Sequence, residues 1–250
     1  MIDFTGKVFV ITGGSRGIGR AAALMAAQAG ADVGITFHTR AAEAEAVAKD
    51  VRGMGRRAFA GGGDLGDPPT VDRIFREVKA AFGGIDGFVA NAGVWPADDV
   101  GIKDLPNTRW RSTIAQNLDS VFYTARAALK LLRPNGSMVI VSSTAGQRGE
   151  AWHSDYAATK GALISLTKSL AIETAPSIRV NCVAPGWVDT EMSARPYADG
   201  GRGRIVATIP LQRIPSSEDI AAPILFLLSD LARHVTGEVL NVNGGSVLCG

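Results

Sequence analysis

Tyr156 and Lys160 stand four residues apart in the stretch SDYAATKGAL, at the start of a run of small and apolar residues. On a helix that spacing puts both side chains on one face. A phenol beside an ammonium is either a solvated surface pair or a proton donor next to the cation that tunes it. The pair alone leaves both readings open. A second candidate is Thr12-Gly13-Gly14-Ser15-Arg16-Gly17-Ile18-Gly19. Glycines there let the backbone turn tightly and approach a pyrophosphate, and the helix N-terminus that follows offers unpaired N–H groups. The pattern G-x-G-x-x-G/A can only be forced onto residues 17–22, whereas the preceding apolar run ends at Thr12. The longer reading Gly13-x-x-x-Gly17-x-Gly19 fits the strand end better. Glycine-rich strand-to-helix turns are common, and it is the place after the first strand of a βαβ unit that favours a nucleotide.

Such residues need a scaffold, and the bulk properties allow one. The chain has 250 residues, 46% of them apolar, enough for a large core. Its 26 basic and 24 acidic residues are interspersed and leave a net charge of +2, which gives no nucleic-acid or membrane footprint. Cys182 and Cys249 are too few for a disulfide framework and lack metal spacing, and His38, His153 and His234 are scattered, so no metal site is expected. Asp3 and Lys7 interrupt the N-terminus, which does not read as a signal peptide. No apolar run approaches the ~18 residues of a spanning helix. These features predict a soluble protein of a reducing compartment, the cytoplasm.

Strand and helix patterns alternate along the chain. Residues 7–12 (KVFVIT), 33–37, 58–61, 86–90, 137–142, 179–183 and 239–242 read as short β-rich runs. Between them, helices are predicted from the glycine turn to about Gly30, over 41–53, over 70–82 with Val71, Ile74, Phe75, Val78 and Phe82 on one face, over 107–132, over 155–174 and over 217–229. Pro134 and Gly136 are stop signals for the long fourth helix. The alternation predicts an α/β fold: one doubly wound domain over residues 1–250, with a seven-stranded parallel sheet and helices on both faces. Residues 190–210, with Gly200, Gly201 and Gly203, form the one long irregular stretch, and they follow a strand's C-terminal end, where open sheets bind ligands. We read this stretch as a mobile lid over a substrate pocket.

At this point the chain resembles the short-chain dehydrogenase/reductase family over its whole length. TGGSRGIG resembles the family's TGxxxGxG turn, and Asp64 with Leu65 in GGDL resembles its adenine-contacting segment. Asn91-Ala92-Gly93 is similar to its NAG after the fourth strand, and NCVAPGWVDT to its NxVxPGxVxT. TGEVLNVNGG resembles its closing strand, with Asn243 where an aspartate is more usual. The resemblance implies a Rossmann-type fold and a catalytic set of Asn117, Ser143, Tyr156 and Lys160. It implies cofactor contacts at Gly13, Ser15, Arg16, Gly17, Ile18, Gly19, Asp64, Leu65, Asn91, Ala92, Gly93, Tyr156, Lys160, Pro185, Gly186, Val188 and Thr190.

Cofactor choice can be read from charge. NAD calls for an acid at the end of the second strand and NADP for a cation. The family's aspartate position falls on Phe37, and the following residues are His38, Thr39 and Arg40. Arg16 in the turn is a second cation. Arginine pairs with a 2′-phosphate, which a carboxylate would repel, so NADP(H) is predicted. Reduction of a ketone then needs a proton donor. A tyrosine titrates near ~10 when unperturbed, and a nearby ammonium stabilises the phenolate. Tyr156 is therefore the expected acid in reduction and base in oxidation, with Lys160 as its tuning cation. Ser143, thirteen residues before Tyr156, is expected to hold the substrate oxygen, while Ser142 should face away because side chains alternate along a strand. In the family the asparagine at the Asn117 position holds a water that relays protons to the lysine.

Trp95, Trp152, His153 and Trp187 flank these motifs and are expected at the pocket mouth. IPLQRIPSSEDIAAPILFLLSD resembles a segment common in 3-oxoacyl-thioester reductases, which makes such a thioester the leading substrate. A sugar, polyol or other secondary alcohol oxidised with NAD is the alternative, and a non-catalytic NADP-binding sensor is the alternative outside enzymes. The resemblance also implies a homotetramer built on the 107–132 and 155–174 helices.

Overall fold

The computed structural model describes residues 2–249. Seven strands, β1 (Val8–Ile11), β2 (Asp32–Phe37), β3 (Ala58–Gly62), β4 (Ile85–Ala90), β5 (Leu132–Val141), β6 (Ile178–Pro185) and β7 (Val239–Val242), pair in the order β3-β2-β1-β4-β5-β6-β7. Every pair is parallel. The strand order reverses between β1 and β4, and the crevice beyond their C-terminal ends is where such sheets take ligands. The helices are α1 (Gly17–Gln28), α2 (Ala41–Gly53), α3 (Pro68–Phe82), α4 (Asn107–Ile114), α5 (Ser120–Leu129), α6 (Thr144–Arg148), α7 (Ser154–Thr174), α8 (Ala194–Tyr197), α9 (Gly201–Ala207) and α10 (Ser217–Leu228).

Strand alternation divides the core in two. Phe9 and Ile11 of β1 join Val139 and Val141 of β5 in a cluster with α1, α2 and α10. Val8 and Val10 join Met138 and Ile140 in the opposite cluster with α3, α5 and α7. The chain is thus one Rossmann-type α/β domain with both sheet faces covered, which is why its strands read as continuous apolar runs.

Several elements differ from the sequence reading. The long fourth helix runs unbroken from α4 to α5 through a π-helical segment, Ala115–Asp119, and it ends at Leu129 rather than 132. The chain turns early because β5 starts at Leu132, which pairs with Ile85 ahead of an irregularity in register. Residues 190–210 are not irregular but carry a 3₁₀ turn, Glu191–Ser193, and helices α8 and α9. The glycines that hid these helices have a packing reason: a Cβ at Gly201 would collide with the Pro196 carbonyl oxygen. The short α6 was also not foreseen, and α3 begins at Pro68 rather than Thr70. Asp67 caps α3 by accepting from Thr70 N at 3.2 Å, and proline is tolerated in the first turn because its missing N–H would be unpaired there anyway.

Candidate active site

The turn from β1 to α1 is pinned to the end of β4. Thr12 Oγ1 accepts from the backbone N–H groups of Asn91 and Ala92, both at 3.0 Å, and Asn91 Nδ2 donates to Thr12 O at 2.9 Å. Gly13 has φ +67°, and a Cβ there would come within 3.0 Å of Ala92 Cα. Arg16 precedes α1 without a side-chain cap, so the first N–H groups of the helix keep their donor capacity. Gly19 plays a different part from its neighbours. It does not line the cavity, and a Cβ there would strike the Gly13 carbonyl and the Asn91 amide. Its role is close packing of helix on turn.

From this turn a cavity of about 610 Å³ runs along the C-terminal edge of the sheet. Of the residues expected to meet a cofactor, all but Gly19 line it: Ser15, Arg16 and Ile18 from the turn, His38, Thr39 and Arg40 after β2, Asp64 and Leu65 after β3, Asn91–Gly93 after β4, Tyr156 and Lys160 from α7, and Pro185, Gly186, Val188 and Thr190 after β6. Uncapped helix N–H groups, glycines a Cβ would block and a groove of this length fit a dinucleotide. Asp64 accepts from Gly66 N at 2.8 Å, which shapes the turn after β3.

The expected catalytic residues converge at the middle of this groove. Ser143 caps α6, its Oγ accepting from Ala145 N at 3.1 Å, and it lines both cavities together with Tyr156. Ser142 turns away and donates to Lys160 O at 2.7 Å. Lys160 Nζ donates to Val141 O at 2.8 Å and stands 5.7 Å from the Tyr156 ring centre. Asn117 is fully buried in the π-helical segment. Its Oδ1 accepts from Val94 N at 2.7 Å and its Nδ2 donates to Val94 O at 2.9 Å, so both side-chain groups hold the strand that leaves Gly93. A π-turn of this kind often marks a functional position.

The electrostatics depart from the sequence expectation in one respect. Burial pushes the Tyr156 phenol up to about 12, against the lowering by the neighbouring Ser143 hydroxyl. Burial pushes the Lys160 ammonium down to about 8. Desolvation is the largest cause for both groups; the Glu150 charge adds to it at Tyr156, and the Cys182 charge opposes it at Lys160. Burial thus favours the uncharged form of each group.

A smaller cavity, about 70 Å³, opens beside Ser143 and Tyr156. Trp95 and Trp187 line it, 6.2 Å apart in an edge-to-face arrangement. Trp152 lies elsewhere, 61% exposed and against Gly101, and lines neither cavity. His153 is buried under Trp95, with ring centres 4.4 Å apart, and faces Arg109 at 3.3 Å and Asp99 at 3.1 Å. It supports the wall and does not form it. Sequence reasoning missed Arg148, Glu150 and Met192, which also line the small cavity. Their one signal was position: Arg148 and Glu150 lie between Ser143 and Tyr156, in a segment that has to bridge them. Burial raises the Glu150 carboxyl above its ordinary value, opposed by Arg148 and the Trp95 indole N–H.

A family model described as enoyl-(acyl carrier protein) reductase matches residues 13–246. The 3-oxoacyl-(acyl-carrier-protein) reductase of Escherichia coli (strain K12) is 36% identical over 98% of both chains. The L-rhamnose 1-dehydrogenase (NAD(P)(+)) of Azotobacter vinelandii is 36% identical over 96% of both. Among solved structures, a short-chain dehydrogenase from Burkholderia cenocepacia in complex with NADP superposes with a TM-score of 0.92 at 36% identity, covering 97% of this chain and 98% of that one. A glucose/ribitol dehydrogenase from Brucella melitensis gives 0.93 at 33% identity, covering 99% of each.

The chain belongs to the short-chain dehydrogenase/reductase family. As a short-chain dehydrogenase/reductase it is an oxidoreductase of alcohol and keto groups, and its relatives act with NAD(P). They divide between thioester and sugar substrates at equal identity, so likeness alone does not choose this enzyme's substrate.

Proposed function

We propose that the protein is an NADPH-dependent reductase that converts a ketone to a secondary alcohol with Tyr156 as the proton donor. The observation that carries this reading is the convergence of the buried Tyr156 with Ser143 and Lys160 at the wall of the long groove. The nicotinamide, when bound, supplies the hydride. Ser143 holds the substrate oxygen through its hydroxyl, and Tyr156 passes its proton to that oxygen. Lys160, one helical turn on, stabilises the phenolate left behind and takes part in returning its proton. Asn117 fixes the Val94 segment that borders the groove, and the resemblance assigns it the water of a proton relay to Lys160. Arg16 and Arg40, with His38 and Thr39, favour NADP(H): both arginines line the groove, and residues 37–40 at the end of β2 include no acid.

Residues 190–210 act as a lid over the small cavity. Exposed ion pairs fasten residues 190–204, Glu191 to Arg16 and Arg40, Arg195 to Asp98 at 2.5 Å and Arg202 to Asp189 at 2.8 Å, beside a part-buried bond from Tyr197 Oη to Val188 O at 3.0 Å, while the buried Ile209 anchors the far end. Exposed ion pairs are weak, so opening costs little. The enzyme works as a homotetramer. Phe122 on α5 and Ile172 on α7 are exposed apolar side chains on the two helices expected at the interface. The chain has no described helix long and apolar enough to cross a membrane, and its two cysteines are free thiols, in keeping with a cytoplasmic enzyme.

A specific observation favours a hydroxylated substrate over the 3-oxoacyl thioester. The small cavity sets Glu150 and Arg148 among the Trp95 and Trp187 faces, which suits hydroxyl groups and C–H faces better than an alkyl chain. A panel of acyl thioesters, sugars and cyclic ketones, read by NADPH consumption, tests both points. Turnover of any ketone that is lost in Tyr156→Phe upholds the reductase. NADPH bound tightly with no ketone turned over, by wild type or variant, would make the protein a sensor. Preference for hydroxylated ketones supports the second point, and preference for 3-oxoacyl thioesters contradicts it.

A further inference from the structure

The two arginines read as a 2′-phosphate site are already occupied by an anion from within the chain. Glu191 Oε2 accepts from Arg16 Nη1 at 2.5 Å and from Arg40 Nη2 at 2.8 Å. The three residues come from three separate places: the β1–α1 turn, the residue before α2, and the 3₁₀ turn that opens the 190–210 segment. Neighbouring Thr190 sits over the same turn, so that a Cβ at Gly17 would meet Thr190 Cγ2 at 3.4 Å. Arg40 also spends Nη1 on Glu43 at 3.1 Å. One oxygen shared by two guanidinium groups is the arrangement arginines use for phosphate.

We propose that Glu191 determines how strongly the enzyme selects the phosphorylated cofactor, because its carboxylate competes with the 2′-phosphate for Arg16 and Arg40. The proposal rests on the NADP(H) reading above. All three side chains are between 39% and 57% exposed, so the internal pairs are screened and readily exchanged. A dianionic phosphate with three acceptor oxygens outbids a single carboxylate, yet must first displace it. A cofactor lacking the phosphate leaves Glu191 where it is. Glu191 therefore lowers affinity for NADPH and leaves affinity for NADH unchanged, which narrows the gap between the two.

The test is direct binding to the full chain without substrate, titrating NADPH, NADH, 2′-AMP and 5′-AMP by calorimetry. Glu191→Gln is expected to tighten NADPH and 2′-AMP by roughly 3–10-fold, on the scale of the two exposed ion pairs the phosphate no longer has to displace. NADH and 5′-AMP should shift by less than about 2-fold. Unchanged NADPH affinity in Glu191→Gln would overturn the proposal, and so would weakened affinity, since Glu191 would then be ordering the arginines for the phosphate. Arg16→Ala and Arg40→Ala separate this from the reading beneath it. If they weaken NADPH but not NADH, the phosphate site stands whatever Glu191 does. If they weaken neither, the NADP(H) reading itself fails.

Discussion

At the scale of single residues, the proposed chemistry rests on two buried groups shifted in opposite directions. Tyr156 is raised to about 12 and Lys160 lowered to about 8, in both cases by burial first. Over the working range the phenol keeps its proton, so the group that titrates is Lys160. Its folded value is depressed, so the ammonium is present below about pH 8 and lost above it. Reduction needs that ammonium once the phenol has given up its proton. We expect kcat/KM for ketone reduction to be flat below about pH 8 and to fall above it, in a pH–rate profile taken at saturating NADPH. A profile that stays flat beyond pH 9.5 would contradict the role given to Lys160. The identities of these residues were legible in the sequence because helix spacing and motif order carry them. The direction of the Tyr156 shift was not, because it comes from desolvation by a surround that only the folded chain assembles. Trp152 shows the same limit. It is next to His153 in sequence, yet it faces solvent while His153 is buried under Trp95.

At the scale of elements, the site is positioned by strand ends and by one π-helical turn within a helix. The strands were readable because each is buried on both faces and so forms a continuous β-branched run. The π-helical segment was not readable, since nothing in Ala115–Asp119 departs from helical composition. It is fixed by the tertiary bonds from Asn117 to Val94. Asn117→Ala would leave the Val94 N–H and C=O unpaired and part-buried. It should cost about 1–3 kcal/mol in urea unfolding, together with a fall in kcat. Unchanged stability would mean that the segment holds its shape without the side chain. Helices α8 and α9 were hidden by Gly200, Gly201 and Gly203, whose usual meaning is a turn. Here Gly201 instead permits close passage of Pro196.

At the scale of the whole molecule, the doubly wound sheet was predictable from the alternation of elements alone, and the order β3-β2-β1-β4-β5-β6-β7 places every functional segment on one edge. Assembly is a property of surfaces, which one chain's periodicity does not describe. Light scattering should give the mass of four chains, and Phe122→Asp with Ile172→Arg should lower it. A monomer in the wild type would refute the tetramer. The central claim is NADPH-dependent reduction through Tyr156. It is tested most directly by initial rates of ketone reduction with NADPH and with NADH, for the wild type and Tyr156→Phe. We predict kcat/KM at least about 10-fold higher with NADPH, the worth of roughly 1.4 kcal/mol of phosphate contacts. In Tyr156→Phe, kcat should drop about 10²–10⁴-fold while NADPH binding is retained. Equal or better use of NADH, or a Tyr156→Phe variant as fast as the wild type, would contradict the account.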